Sequence, residues 1–212
     1  RPHPLRLGDL RAVAEAFSAI GWQVLRLGRE DLDLLDRHAV KAFFRDEICD
    51  LLVCAAGFTD DAPLAKMPEC GWDKVFGVNY EAAGRCAAAA LPGMADRGCG
   101  HVVFISSHAA IHPAVGQAAY AAAKAALLGL TSDLAARWGG NGIRINAVLP
   151  GFMETPMTQT VSAKRREAVR TSHHLGRFNT PAAAAEFIRF LHDRMSHTSG
   201  QVFQLDSRPG FF

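Results

Sequence analysis

An alternation constrains this chain more than any other feature. Short apolar runs at residues 22–27, 50–54, 101–106, 144–149 and 201–205 are separated by longer stretches with helical periodicity. Runs that read as strands buried on both faces, spaced by helices, are the pattern of a parallel sheet with helical crossovers. The helical stretches are 10–20, closed by Gly21; 36–45; 68–95, read as two helices broken near Gly77; 120–138; 161–170; and 182–194, with Pro181 at its start. Five strands and about six helices in one layered unit predict an α/β fold with a doubly wound sheet, because crossovers of this kind are right-handed.

Length and charge narrow what such a sheet can serve. The 212 residues are enough for one domain with a sizeable core, and no internal repeat or low-complexity linker divides them. A net charge of +2 argues against nucleic-acid or polybasic membrane binding. The five cysteines, Cys49, Cys54, Cys70, Cys86 and Cys99, are odd in number and form no C-x-x-C pair. They read as reduced, buried thiols of a cytoplasmic protein without a zinc framework. The longest stretch free of Asp, Glu, Lys and Arg, 98–123, carries serines, histidines, Pro113 and Gln117, so no membrane span is expected. No signal-peptide pattern opens the chain. It begins at Arg1 without an initiator Met, which leads us to expect further residues upstream.

In open α/β sheets, ligands bind outside the carboxyl ends of the strands. Four groups fall there: Gly28-Arg29, Ala55-Ala56-Gly57, Ser106-Ser107 and Pro150-Gly151. Tyr120 and Lys124 lie four residues apart on a predicted helix and share a face. A phenol with an ordinary pKa of about 10 is a poor proton donor or acceptor at neutral pH, but an adjacent ammonium favours its phenolate. Bringing it near 7 takes about three units, roughly 4 kcal/mol. Ser107 precedes Tyr120 by thirteen residues and closes a strand, where its hydroxyl can donate to a carbonyl that the tyrosine protonates. Asn79 sits inside a helical stretch despite its low helix propensity, which suggests a freed backbone carbonyl or an ordered water.

The order Asn79, Ser107, Tyr120, Lys124 resembles the catalytic tetrad of the short-chain dehydrogenase/reductase family. ISSHAAIHPAVGQAAYAAAKAAL (105–127), CAAG (54–57), where the family usually reads N-N-A-G, and IRINAVLPGFMET (143–155) are similar to its motifs. GFTDDAPL (57–64) and SGQVFQLD (199–206) resemble the 3-oxoacyl-[acyl carrier protein] reductase branch. The resemblance implies a single Rossmann-type domain, NAD(H) or NADP(H) as cofactor, and a homotetramer built on helices 120–138 and 78–95. It implies that Tyr120 is the general acid, that Ser107 orients the carbonyl, that Lys124 holds the nicotinamide ribose and that Asn79 orders a proton-relay water. Ala55, Ala56, Gly57 and Ile105 would line the cofactor, Pro150, Gly151, Phe152 and Thr155 would meet the nicotinamide end, and Asp33 the adenine. Arg29 follows the strand facing the adenosine ribose; a basic residue suits a 2′-phosphate and favours NADP(H), while the adjacent Glu30 keeps NAD(H) open.

The opening departs from the family. Its first strand is absent from residues 1–11, and its Gly-rich loop reads RPHPLRLGDLR, with Gly8 at the second glycine and Pro4 and Leu10 at the others. Three readings stay open: an incomplete start, a variant loop in which Arg6 or Arg11 binds the pyrophosphate by charge, or a member that has lost its cofactor and serves as a subunit. The adjacent His173 and His174, with His108 and His112 in the active-site loop, do not make a metal site. His112 suits the substrate pocket. VSAKRREAVR (161–170), a basic helix, would by the resemblance be the substrate lid, suited to an acidic carrier protein. The expected activity is reduction of a carbonyl, on the branch resemblance a 3-oxoacyl thioester on acyl carrier protein. The alternatives are oxidation of another secondary alcohol and a non-catalytic subunit role.

Overall fold

The computed structural model describes residues 8–47 and 49–210. Its elements run α1 (Gly8–Ser18), α2 (Arg37–Asp46), β1 (Leu51–Cys54), α3 (Glu69–Phe76), α4 (Ala82–Asp96), β2 (Gly100–Ile105), α5 (Ala118–Trp138), β3 (Ile143–Leu149), α6 (Ala163–Ser172), α7 (Pro181–Arg194) and β4 (Val202–Gln204). Local chemistry sets several starts. Asp36 precedes α2, and its carboxylate accepts from the amides of His38 at 2.8 Å and Ala39 at 3.1 Å. Thr180 caps α7 from outside and Pro181 occupies its first turn, where no amide donor is needed.

The four strands lie in the order β1-β2-β3-β4, all parallel. Side-chain alternation on the two central strands sends Val102, Phe104, Ile145 and Ala147 toward Leu91 and Met94 of α4 and Leu127 of α5. It sends Val103, Ile105 and Val148 to the other face, onto Phe17 of α1 and Ile188 and Leu191 of α7. Helices therefore cover both faces, and β2 and β3 are buried almost throughout. This is the Rossmann-like α/β architecture the alternation predicts.

Three expectations need correction. Residues 22–27, read as a strand, form no ladder; Trp22 and Val24 pack on the α1/α7 face of the core while Leu25 is half exposed. An apolar run becomes a strand only when a neighbour offers its open edge, and among the described residues β1 is paired on one side alone, by β2. The stretch 68–95 does not break near Gly77. It continues as a π-helical turn, Gly77–Glu81, between α3 and α4, so one wide turn absorbs the irregularity. Nor are all five cysteines buried, since Cys70 and Cys99 are exposed. Burial pushes the thiols of Cys49 and Cys86 up to about 11 and that of Cys54 well above its usual range, so these three stay protonated. Among the described residues no helix is long and apolar enough to cross a membrane.

Candidate active site

The carboxyl ends of β1, β2 and β3 open onto one region. β2 hands the chain to Ser106, whose buried hydroxyl donates to the Lys124 carbonyl at 2.8 Å. The Lys124 ammonium returns the connection, donating to the Ile105 carbonyl at 2.9 Å. Lys124 is thus pinned at both its backbone and its tip to the last residues of β2, and it is only 3% exposed. Its Nζ stands 5.8 Å from the centre of the Tyr120 ring, one helical turn earlier on α5. The sequence places Ser106 with Ser107 at a strand end but assigns a role to Ser107 alone; the grip on Lys124 belongs to Ser106.

Ser107 has extended backbone (φ −153°, ψ 155°) and caps the short 3₁₀ turn His108–Ala110, its Oγ accepting from the Ala109 amide at 3.2 Å. That turn packs on α5, the helix carrying Tyr120.

Asn79 lies in the π-helical turn, 1% exposed. Its amide donates to the carbonyls of Phe58 at 2.6 Å and Val75 at 2.9 Å, and its Oδ1 accepts from the Phe58 amide at 3.2 Å. The side chain so binds the α3/α4 junction to the loop that leaves β1. Gly57 precedes that contact. A Cβ there would stand 3.4 Å from Asn79 Oδ1, 3.4 Å from Met157 Cε and 3.9 Å from Lys124 Nζ. Three segments distant in sequence thus converge at Gly57 at van der Waals distance.

A small apolar cavity between the strand ends and the α1/α7 face is lined by Ala55, Ile105, Pro150 and Met153, with Val13 from α1 and Ile188 from α7. Three of these, Ala55, Ile105 and Pro150, are residues expected along the cofactor. At the β3 exit, the Pro150 carbonyl accepts from Asn179 Nδ2 at 2.7 Å, and the Phe152 and Phe178 rings pack at 4.6 Å. Gly151 has φ +86° and lies so close to Asp206 that a Cβ would meet that side chain at 2.6 Å, so only glycine fits. Thr155 is buried and its amide donates to Thr158 Oγ1 at 3.0 Å.

The residues expected at the adenosine end are held differently. Arg29 is exposed in a turn whose Gly28 amide donates to Asp31 Oδ2 at 2.7 Å. Asp33 is also exposed, and its Oδ1 accepts from the Leu35 amide at 2.9 Å, which fixes the bend into α2. Gly8 is the first residue of α1. Pro4 and Arg6 lie outside the described residues, and Arg11 is an exposed side chain 3.7 Å from Glu15.

A cluster that sequence reading missed stands behind the site. Asp206 is buried against Gly151, with Arg208 Nε 2.6 Å and His173 Nε2 3.5 Å from its Oδ2. Burial pushes its carboxyl upward, but hydrogen bonds from Gln204 and Arg208 hold it below the ordinary value. His112, expected at the substrate pocket, donates from Nε2 to the Gly210 carbonyl at 2.9 Å. The ring of His108 stacks on His112 at 4.8 Å, and burial followed by the nearby Arg208 lowers its pKa.

Comparison with known proteins places the chain among similar enzymes. Residues 29–207 match a family model described as enoyl-(acyl carrier protein) reductase. A 3-oxoacyl-[acyl-carrier-protein] reductase from Thermotoga maritima is 38% identical over 181 residues, 82% of this chain and 74% of the relative. A human (3R)-3-hydroxyacyl-CoA dehydrogenase is 39% identical over 153 residues, covering 72% of this chain and 58% of its own length. A crystal structure assigned to an NAD(P)-dependent gluconate 5-dehydrogenase from Beutenbergia cavernae, with NADP at low occupancy, superposes with a TM-score of 0.90 at 29% identity, over 94% of this chain and 91% of that one.

Proposed function

The chain belongs to the short-chain dehydrogenase/reductase family of oxidoreductases, and from that membership we propose that it is an NADP(H)-dependent reductase of a 3-oxoacyl thioester carried on acyl carrier protein. The observation that supports this most is the junction at Gly57, where Asn79 Oδ1 and Lys124 Nζ both lie within 4 Å of the position a Cβ would take, with the Tyr120 ring 5.8 Å from the ammonium. The residues suit a nicotinamide dinucleotide: small or apolar groups, Ala55, Ala56, Gly57 and Pro150-Gly151, stand at the strand ends, and the Lys124 ammonium is held in place by the Ile105 carbonyl. Ala55, Ala56, Gly57, Ile105, Pro150, Gly151, Phe152, Thr155 and Lys124 would hold the nicotinamide half. Arg29 and Asp33 would meet the adenosine half, and Gly8, opening α1, the pyrophosphate.

When bound, the cofactor supplies a hydride to the carbonyl carbon. Tyr120 delivers a proton to the carbonyl oxygen from its hydroxyl. Ser107 donates a hydrogen bond to the same oxygen and fixes its direction. Lys124 stabilises the phenolate left behind. Asn79, bound to Phe58 and Val75, holds the turn that would order a water between Lys124 and solvent. The exposed Arg29 favours NADP(H), and homotetramer assembly follows the family. The acyl-carrier substrate is favoured by the Thermotoga relative. The human and gluconate-type similarities support a second reading, oxidation of a different secondary alcohol.

A thermal-shift titration with NADPH and NADH, followed by a 3-oxoacyl-thioester assay, tests the proposal. A ligand at 100 times its Kd stabilises by about 2.7 kcal/mol, a shift easily read. Stabilisation by NADPH with thioester-dependent NADPH oxidation is expected. No stabilisation by either nucleotide would overturn the assignment in favour of a non-catalytic subunit, and turnover only with a sugar acid or other alcohol would move it to the second reading.

A further inference from the structure

The helix α6 contributes no buried residue, so its own face does not hold it down. It is fastened at its ends. Ser162 caps the first turn and Arg166 pairs with Glu154, both at the surface. The other end is sewn into the protein. His173, immediately after α6, has a fully buried side chain; its Nδ1 donates to the Val169 carbonyl at 2.7 Å, and its Nε2, which makes no hydrogen bond, lies 3.5 Å from Asp206 Oδ2. The amides of His174 and Leu175 donate to the Ser207 carbonyl at 2.9 Å and to its hydroxyl at 3.1 Å.

The same short segment, residues 206–210, reaches the opposite wall. The Gly210 carbonyl accepts from His112 Nε2 at 2.9 Å, and His112 stacks on His108, which follows Ser107 directly. The segment is cross-braced between these two attachments. Asp206 accepts from Gln204 Nε2 at 2.8 Å and from Arg208 Nε at 2.6 Å, Gln204 also donates to the Arg208 carbonyl at 2.9 Å, and the Asp206 side chain seats on Gly151.

We propose that residues 206–210 are a tie joining the α6 arm to the Ser107 loop, with Asp206 as a positioning residue for the reaction, and with the His174 and Leu175 amides on Ser207 at one end and His112 on Gly210 at the other as its two attachments. The arm has no buried face of its own, and the loop, which packs on α5, is held from the other side by His112. A displacement of the arm pulls on Ser207 and Asp206, and through Gly210 on the loop that aims the Ser107 hydroxyl. Substrate contact with α6 is thereby transmitted to the carbonyl-orienting group. The catalytic consequence rests on the assignment of Ser107 and Tyr120 above; the mechanical coupling does not.

Hydrogen exchange on the full chain tests the coupling without any assay. His112→Ala cuts the tie at the loop end, at an exposed position where folding should survive. Amide exchange is expected to accelerate about tenfold both locally at 107–112 and remotely at 173–175, and His112→Gln, which keeps a donor, should restore both. Asp206→Asn, which keeps the shape but removes the charge facing Arg208 and His173, should accelerate the same two segments. Acceleration confined to the mutated side in both variants would overturn the tie. In the reductase assay the variants should raise KM about tenfold with kcat changed far less. Coupled exchange with an equal loss in kcat would retain the tie but remove Asp206 as a positioning residue. Coupled exchange in a protein without reductase activity would refute the function and not the tie.

Discussion

The region from β2 through α5 to β3 and the region from α1 to β1 are built from similar sequence and are held in different ways. In the first, strand and helix fix each other: Ser106 grips the Lys124 backbone, Lys124 grips Ile105, and Phe104 and Leu127 meet in one core. In the second, an apolar run at 22–27 lies against the protein without a ladder, and Arg29 and Asp33 project from turns that are satisfied locally. The difference teaches that the groups proposed to react are placed by many mutually dependent contacts, whereas the groups expected at the adenosine end are placed by a few short-range ones.

The largest effect should come from the tightly held region. Tyr120→Phe should lower turnover by at least a thousandfold while leaving the NADPH thermal shift within a degree of the parent; preserved turnover would remove Tyr120 from the chemistry. Core truncation sharpens the contrast in stability. Phe104→Ala, fully buried, should cost about 3–5 kcal/mol in urea unfolding. Val24→Ala, on the unladdered run, should cost about 1 kcal/mol, and equal losses would erase the distinction between the two regions.

Acid should act where the two regions meet. His101 on β2 is buried, stacks on His192 of α7 at 5.4 Å, and accepts from Asn146 Nδ2; His192 in turn packs edge-on against Trp22 at 4.9 Å. Burial, then Arg144 and His192, lower the His101 pKa to about 3. The unfolded chain, with an ordinary histidine near 6.5, takes up this proton first as pH falls. Stability is therefore complete above about pH 6.5 and declines toward pH 3, with a slope near 1 kcal/mol per pH unit from this group. Urea midpoints between pH 7.5 and 4.5 check it, and a flat profile would show that the histidine pair is not buried in solution. The smallest effect belongs to the exposed turn: Arg29→Ala should weaken NADPH about tenfold and NADH hardly at all. Equal weakening of both would show that Arg29 does not read the 2′-phosphate.

The strand alternation was legible because burial on both faces demands continuous apolar runs, and β1 to β4 fall on the runs that predict them. Asn79 was legible as an anomaly within a helix, but the π-helical turn that carries it was not, since no spacing rule separates a wide turn from a break at Gly77. The Asp206 cluster was not legible. Nothing in QLDSRPG distinguishes a solvated turn from a buried junction, and its partners His173 and Gly151 are more than thirty residues away.

By itself the sequence determined the family, the order of the elements and the four residues proposed to react, because these depend on residue type and local period. Tertiary structure alone decided which apolar run became a strand, which serine grips Lys124, and that the last described residues join α6 to the Ser107 loop. Each of those outcomes depends on whether a partner from elsewhere in the chain arrives at hydrogen-bonding distance, and no local pattern encodes that arrival.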